Sequence, residues 1–432
     1  MAMDPHVNQR EYDKFVQTPA PGLNTAIRVQ ASFGDSVAND AFGRLRVSNT
    51  GQRLDVEFLY DLQPEYFDQI TNNGTVTHND NPRDLTLALD DANNGSYARM
   101  SSYPVPYTPA NSQLIKMTGV LNLAAIGGGT VSVFVRTKTS GAVVEQTFSQ
   151  STWDNLTTSA DIDFTKSQLF SIDFQSLKVG RIRFGIFQSG IYIPIKSVTH
   201  DNSVNVGQWQ LANLPVSYSI RTTAGTTYLE IGYFNDDNGC GFRYEISANA
   251  SATLKAICCT VKSEDGPTLQ DMPGLPRSVD RGITPYTVST TLVPLISIRP
   301  RSTFQSVDNL ILSIPKGYTI QTNEAIRVAI VHGGTLTNAS WTAVDTNRSS
   351  IEYDVAATAI TNGHENSSEY IYATSTGPAA TRQIESGGGL LGKTILWNRQ
   401  DANETGIISL CAIRTGASDA SVLAGINWEE LR

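Results

Sequence analysis

The sequence predicts an all-β protein, and three observations support that fold class. First, residues 161–187 alternate between apolar and polar side chains, which places every second residue on one buried face of a strand; the apolar positions are Ile162 and Phe164, then Phe170, Ile172 and Phe174, then Ile182, Phe184 and Ile186. Second, four to ten residues separate these sets and the next one at 191–195, which suits antiparallel neighbours and is too short for a helical crossover. Third, only 17% of the residues are charged and 34 are glycine, a balance that favours strands and turns.

The length of the chain predicts more than one domain. It has 432 residues, whereas domains usually contain about 100–200 residues. The best boundary is a stretch rich in proline and glycine at 264–276, since linkers have that composition. We therefore predict two β-sandwich or jelly-roll-like domains, at 49–266 and 267–432. An extended N-terminal arm at 1–48 precedes them, and contact with a neighbouring subunit would order it.

Short strands and turns follow one another through the first predicted domain. After the arm, whose residues 41–48 form a strand with one cationic face, the alternating stretch 85–89 lies between two turn sequences, Asn72-Asn73-Gly74 and Asn93-Asn94-Gly95. Asparagine before glycine is typical of hairpin turns, so a meander is expected here. Further predicted strands cover 112–123, 130–136, 227–234, 242–246 and 252–261, and the apolar residues Trp209, Leu211, Leu214 and Val216 continue the pattern.

The second predicted domain has the same character. Its predicted strands are short and bounded by Gly, Asn or Pro, at 292–298, 310–314, 325–332, 341–344, 395–397 and 407–414. Residues 354–360 are the one segment that favours a helix. No internal period of 20–50 residues is found, which excludes a solenoid or propeller.

Charge and hydropathy exclude several classes of function. The net charge is −9 and no run of Lys or Arg occurs, so we expect no nucleic-acid partner. No segment reaches the ~18–20 consecutive apolar residues of a membrane helix, and the N-terminus lacks the pattern of a secretory signal. We therefore expect a soluble chain made in the cytoplasm, with no membrane contact. Four cysteines form neither a disulfide framework nor a CxxC pair and are predicted to be buried thiols: Cys240, Cys258, Cys259 and Cys411.

The residues that often perform chemistry do not form a recognisable centre. The histidines share no metal-ligand spacing, so we predict neither a metal centre nor a cofactor; they are His6, His78, His200, His332 and His364. The turn at 235–239 offers several oxygen atoms to Ca²⁺ but lacks a downstream bidentate Glu, and a hairpin turn uses the same residues. A glycosidase needs two carboxylates facing one cleft, and Asp161, Asp163 and Asp173 are candidates only because they alternate along strands. The sequence therefore favours a protein that is not an enzyme.

An ordered series of motifs resembles a family of virion structural proteins of tailed bacteriophages. The series spans about residues 10–266. Its matching pieces are YDKF at 12–15, AIRV at 26–29, AFGRLRVS at 41–48, YD at 60–61 with QP at 63–64, YTP at 107–109 with SQLI at 112–115, TGVL at 118–121, Trp153, DFTK at 163–166, IDF at 172–174, VGRIR at 179–183, NLPV at 213–216 and ICCTVKSE at 257–264.

The resemblance implies a β-rich particle component, located in the virion and attached to a capsid surface, collar or tail. Its partners would be other virion proteins, and such appendages are usually homo-oligomers, most commonly trimers. Aromatic and arginine side chains dominate the energetics of interfaces, so we expect the arm to dock through Tyr12, Phe15, Phe42, Arg44 and Arg46.

Two other functions remain open from the sequence. The first is a receptor-binding module of a phage fibre or tail that holds a host-surface glycan through exposed aromatics and Asn or Asp loops, because tyrosine and tryptophan provide platforms for sugars and proteins alike. The second is an enzyme that trims polysaccharide, which would require a close pair of carboxylates in a groove.

Overall fold

The computed structural model describes residues 50–89, 94–109, 111–122, 129–138, 141–154, 162–175, 179–201, 207–264, 266, 271–372, 380–385, 394–399 and 406–431. The predicted arm at 1–48, with its strand at 41–48, lies outside the described residues. Within them the chain forms thirty β-strands, one 3₁₀ turn and no α-helix. The predicted all-β class is therefore confirmed. The described residues also contain no helix long and apolar enough to cross a membrane.

Fifteen strands lie between residues 50 and 264. They are β1 Thr50–Glu57, β2 Phe67–Asn72, β3 Thr75–Asn79, β4 Asp84–Leu89, β5 Tyr97–Ser102, β6 Ser112–Asn122, β7 Thr130–Thr137, β8 Val144–Ser149, β9 Gln168–Gln175, β10 Ile182–Gln188, β11 Ile191–Val198, β12 Val216–Thr223, β13 Thr226–Phe234, β14 Gly239–Ile246 and β15 Ala252–Glu264. The 3₁₀ turn η1, Gln150–Thr152, follows β8.

Fifteen more strands lie between residues 275 and 431. They are β16 Leu275–Asp280, β17 Tyr286–Val288, β18 Val293–Pro300, β19 Thr303–Phe304, β20 Val307–Asp308, β21 Leu312–Thr322, β22 Ile326–His332, β23 Thr335–Thr337, β24 Thr342–Ala343, β25 Ile351–Asp354, β26 Ala359–Thr361, β27 His364–Ile371, β28 Ala380–Glu385, β29 Ile408–Arg414 and β30 Ala420–Leu431.

Two antiparallel sheets built from β1–β15 pack face to face. Sheet 1 has the order β11-β10-β9-β6-β15-β4-β3, with β1 also beside β15, and sheet 2 has the order β2-β5-β12-β13-β14-β7-β8. Aromatic side chains meet between the sheets: the ring centroids of Phe170 and Phe242 are 4.7 Å apart, and those of Phe174 and Tyr233 are 5.4 Å apart. These two sheets therefore form a β-sandwich with an aromatic core.

Eleven of the strands β16–β30 form a second pair of sheets, while β19 pairs with β20 and β23 with β26 in two separate two-stranded sheets. Sheet 3 has the order β16-β30-β21-β28, with β17 beside β30, and sheet 4 has the order β24-β25-β18-β29-β22-β27. One apolar cluster joins them, including Ile298 and Ile330 of sheet 4 with Ile320 and Trp428 of sheet 3. The second half of the chain is thus a second β-sandwich.

The meander predicted around residues 85–89 is wrong. The turn Asn72-Asn73-Gly74 joins β2 of sheet 2 to β3 of sheet 1, and Asn94 and Gly95 lie between β4 of sheet 1 and β5 of sheet 2. Both turns therefore carry the chain across the sandwich. They lie side by side, since the Asn72 side chain donates to the Gly95 carbonyl at 3.1 Å, and a Cβ at Gly74 would lie 2.6 Å from the Tyr97 carbonyl oxygen. Asn-Gly sequences suit any tight reversal, including one that changes sheet.

Several strand predictions also need correction. Ile162 and Phe164 are buried but lie in a turn before β9, and residues 395–397 make only one isolated bridge, between Leu396 and Ser313. The helix favoured at 354–360 is wrong, because Asp354 ends β25 and its carboxylate accepts the backbone N–H groups of Ala356 and Ala357, two and three residues further on. The prediction also omitted β27 and β30.

The cysteine prediction is confirmed for three of the four thiols. Cys240, Cys259 and Cys411 are buried and free, and burial raises the pKa of each thiol. Cys258 is only half-buried, and its Sγ lies 3.4 Å from the hydroxyl of Thr118.

Candidate functional site

A buried carboxylate joins the two halves of the chain. Asp68, on β2, accepts a hydrogen bond from Trp397 Nε1 at 3.1 Å and pairs with Arg399 Nε at 2.9 Å. Arg399 also donates to the Pro64 carbonyl at 2.6 Å. The Trp397 ring lies edge-on to Tyr103, with centroids 6.0 Å apart. The segment 394–399 of the second half is therefore fastened to the first sandwich.

Apolar packing continues across this junction. Leu312, Ile314 and Leu431, all from strands of sheet 3, are buried in the core cluster of the first sandwich together with Trp397. Contacts of this kind remove apolar surface from water at both partners. The junction is consequently packed like the interior of a domain.

A groove runs along this junction. Its central cavity has a volume of about 700 Å³, and two adjoining cavities of about 310 and 260 Å³ share lining residues with it. We call it the junction groove and define it by the side chains Glu65, Tyr66, Arg299, His332, Trp341, His364, Asn398 and Arg399. Residues of both halves line it, so the groove depends on their packing.

The cations of the groove are paired with carboxylates. Arg299 Nε lies 2.6 Å from Glu352 Oε1, and the Arg299 guanidinium stacks on the Trp341 ring at 4.1 Å from its centroid. Arg399 is held by Asp68, and the side chains of that pair are 3% and 5% exposed. The guanidinium charges are therefore largely neutralised by protein groups.

Two histidines meet in the groove. His332 of β22 and His364 of β27 are direct cross-strand partners. Burial, with smaller contributions from Arg399 and His364, lowers the pKa of His332 to about 4. His332 is thus neutral at pH 7, and its buried Nε2 has no hydrogen-bond partner among the described residues. A buried polar atom of that kind is unusual and costly.

The sequence predicted docking residues in the arm and did not predict the groove. Tyr12, Phe15, Phe42, Arg44 and Arg46, which were predicted to dock the arm, lie outside the described residues. The groove was missed, because His332 and His364 are 32 positions apart in sequence and Asp68 is 329 positions from Trp397. Exposed aromatic residues were considered as a general sign of a glycan site, but none of those in the groove was singled out.

The carboxylates considered for glycosidase chemistry have different surroundings. Asp161 lies outside the described residues. Asp163 is exposed in a turn, where its carboxylate accepts the backbone N–H of Thr165 at 3.0 Å. Asp173 is buried and forms an ion pair with Arg183 of the neighbouring strand β10. Asp173 is therefore engaged in holding sheet 1 together.

The turn at 235–239, considered for calcium, joins β13 and β14 as a hairpin. Asp236 forms an ion pair with Arg99, and Asp237 lies 2.8 Å from Lys138 Nζ. Asn235 Oδ1 accepts the backbone N–H groups of Asp237 and Asn238. The hairpin alternative is confirmed, and protein donors engage one side-chain oxygen of each of Asn235, Asp236 and Asp237.

The motifs of the family resemblance supply scaffold contacts. Asp173 of the IDF motif and Arg183 of the VGRIR motif form the buried ion pair described above. Phe174 of IDF stacks on Tyr107 of the YTP motif, with centroids 5.8 Å apart. Leu214 of NLPV forms an isolated bridge with Val105. These residues set the shape of the first sandwich.

Comparisons with known proteins name no family. No family model and no curated protein matches the chain. Among solved structures, arcelin-5, a lectin-like defence protein from Phaseolus vulgaris, is 9% identical over 49% of this chain and 99% of its own, with a TM-score of 0.25. The CBM2 module of the evolved Dit of Lactobacillus casei phage J-1 is 6% identical over 51% and 99%, with a TM-score of 0.21. A Bacillus licheniformis beta-glucanase is 9% identical over 51% and 100%, with a TM-score of 0.18. With TM-scores this low, these likenesses carry no argument about ligand or activity.

Proposed function

We propose that this chain is a non-enzymatic structural protein of a tailed-phage virion, attached to the capsid surface, collar or tail. One observation carries the proposal: among the described residues, several that resemble the virion family make contacts within the first sandwich, including Asp173, Phe174 and Arg183. The resemblance therefore concerns the architecture of the first sandwich.

The packing of the two halves supports a structural role. The Asp68 contacts with Trp397 and Arg399 are buried at the junction, and the apolar cluster continues across it. A particle component that bears load benefits from such a junction, because interfaces of domain-like packing resist relative motion. The two sandwiches would then act as one block.

The position of β1 supports docking through the arm. The described chain begins at Thr50, which pairs with Glu264 at the last residue of β15. The chain just after the arm is therefore held at the end of sheet 1 where β15 ends. Tyr12, Phe15, Phe42, Arg44 and Arg46 supply aromatic and arginine anchors for other virion proteins, and a trimer of this chain would present three arms.

Deleting residues 1–48 tests the proposal. We expect the purified variant to keep its unfolding temperature, while its incorporation into particles, measured by immunoblot of purified virions, falls at least about tenfold. A second variant that changes only the five anchor residues to alanine should behave alike. Unchanged incorporation of both variants would exclude docking through the arm, and the mass of the purified wild-type protein in solution tests the homo-oligomer.

A second candidate function is recognition of a surface glycan. The groove favours it, because an accessible aromatic residue lies beside polar groups there. It is independent of how the chain attaches to the particle.

A further inference from the structure

We propose that the junction groove binds a neutral oligosaccharide. Its three adjoining cavities are connected through shared residues: Glu65, His332 and His364 line the central cavity and one neighbour, while Arg299 and Arg399 line the central cavity and the other. The central cavity lies in the range of ~300–1,000 Å³ typical of ligand sites. A row of connected cavities suits a chain of similar units.

Two aromatic side chains offer stacking surfaces at separate places in the groove. Trp341 is half-buried in the central cavity, and the Arg299 guanidinium, 4.1 Å from its ring centroid, holds one face. Tyr66 lines an adjoining cavity and is 40% exposed. Aromatic rings present a rigid apolar face to a ligand, and the C–H faces of sugar rings match it. Spaced aromatics therefore indicate a ligand with repeated apolar faces.

The pairing of charges favours a neutral ligand over an anionic one. Arg299 is paired with Glu352, and Arg399 is paired with Asp68. Glu365 lines an adjoining cavity and is paired with Arg327 at 2.7 Å. An anion would need cations free to form charge-assisted hydrogen bonds, and here it would have to displace protein carboxylates. Glu65 adds a further negative charge to two of the cavities.

The polar groups of the groove match hydroxyl groups, each of which both donates and accepts a hydrogen bond. Glu65 supplies an acceptor, and Asn398 supplies both kinds of group. The buried Nε2 of His332 has no partner among the described residues, and leaving such an atom unpaired is unfavourable. His332 lines two of the cavities, and a ligand hydroxyl that reached Nε2 after a rotation of the ring would remove that cost, which assigns His332 to ligand binding.

The first experiment applies the full-length protein to an array of immobilised neutral and acidic oligosaccharides. We expect binding to neutral glycans. The strongest neutral glycan is then titrated by calorimetry against the wild type and against Trp341→Ala and His332→Ala. Each substitution should weaken binding at least about tenfold while the unfolding temperature stays within a few degrees of the wild type.

Tyr372→Ala is the matched control, because Tyr372 is 72% exposed and lines none of the three cavities. It should bind like the wild type. Binding to acidic glycans alone, binding to no glycan, or equal affinity of all variants would overturn the proposal. Particle incorporation of Trp341→Ala should be normal, so failure of the groove proposal and failure of the virion proposal are separately visible.

Discussion

Two regions of this protein combine arginine, carboxylate and aromatic side chains, but only one of them leaves these side chains accessible to a ligand. One is the junction groove. The other, which we call the sheet 2 network, lies on the face of sheet 2 away from the core and consists of Arg136, Glu145, Arg221, Glu230 and Arg243. In the groove such groups border an accessible space, whereas in the network they border one another.

The sheet 2 network is closed. Glu230 is 1% exposed and accepts hydrogen bonds from three guanidinium groups, the shortest at 2.6 Å from Arg243. Burial alone would raise the pKa of Glu230, but the charges of Arg221, Arg136 and Arg243 lower it well below its usual range. The Arg243 guanidinium also lies 4.6 Å from the Phe134 ring centroid. Every cation here has its charge partner, so the network stabilises the fold.

The groove differs in accessibility and in satisfaction of polar atoms. His332 Nε2 has no partner among the described residues, and Trp341 keeps part of its ring accessible. Residue type alone therefore does not separate a structural cluster from a binding site. What separates them is whether a polar atom or an aromatic face is left for a ligand.

The largest effect should follow from breaking the network. Glu230→Gln removes the only fully buried carboxylate among its members and leaves Arg136, Arg221 and Arg243 facing one another. Loss of one partner of a buried ion pair costs about 3–5 kcal/mol of unfolding free energy. Calorimetric unfolding measures this loss of unfolding free energy. Glu57→Gln is the control because Glu57 is an exposed strand residue. Equal stability of Glu230→Gln and wild type would show that the network is not structural.

A smaller loss is expected at the floor of the groove. Asp68→Asn removes the charge that pairs with Arg399 while retaining an acceptor for Trp397 Nε1. A hydrogen bond to a charged group contributes about 1.5–3 kcal/mol, so the unfolding free energy should fall by about that amount. Asp55→Asn, at an exposed position of β1, is the control. If Asp68→Asn and this control had the same unfolding free energy, the contact of the Asp68 charge with Arg399 would not stabilise the packing of the two halves.

Acid should weaken the sheet 2 network. The folded-state pKa of Glu230 is depressed, so its stabilisation is fully present above the unfolded pKa of about 4.3. It is lost as the pH falls below that value toward the folded pKa, by up to about 1.4 kcal/mol per pH unit. Unfolding temperatures between pH 3 and 7 should therefore converge for wild type and Glu230→Gln at the acid end. Parallel curves would contradict this assignment.

Many strands could be predicted because the alternation of apolar and polar residues in a strand is visible within a few consecutive residues. The alternation of Phe170, Ile172 and Phe174 predicted β9, and the turn rich in Asn and Asp predicted the hairpin of β13 and β14. The strand β30 carries the same signal in Val422, Ala424 and Ile426, yet the prediction ended the last strand at 414. The points where the chain passes from one sheet to the other could not be predicted, because the turn sequence at Asn72 is also typical of a hairpin within one sheet.

The charge clusters could not be predicted, because neither is local. Arg136 on β7 and Glu230 on β13 come together because both strands pair with β14, one on each side of it. His332 and His364 meet through the register of β22 and β27. In the sequence each is a single polar residue in a strand, as expected for any solvent-facing position. Strand order and register, which depend on the whole core, decide their neighbours.

The smallest effect on stability should come from Trp341→Ala, which sharpens the contrast between the two regions. Trp341 lies before the two-residue strand β24 and contacts the Arg299 guanidinium. A cation–π contact at an accessible site contributes about 0.5–1 kcal/mol, so the unfolding free energy should fall by no more than about 1 kcal/mol. Arg299 keeps its partner Glu352 in the variant, which limits the loss further. Denaturant unfolding monitored by circular dichroism measures the change, and Tyr372→Ala provides the comparison. A loss as large as that of Glu230→Gln would make Trp341 part of the structural core and remove the distinction between network and groove.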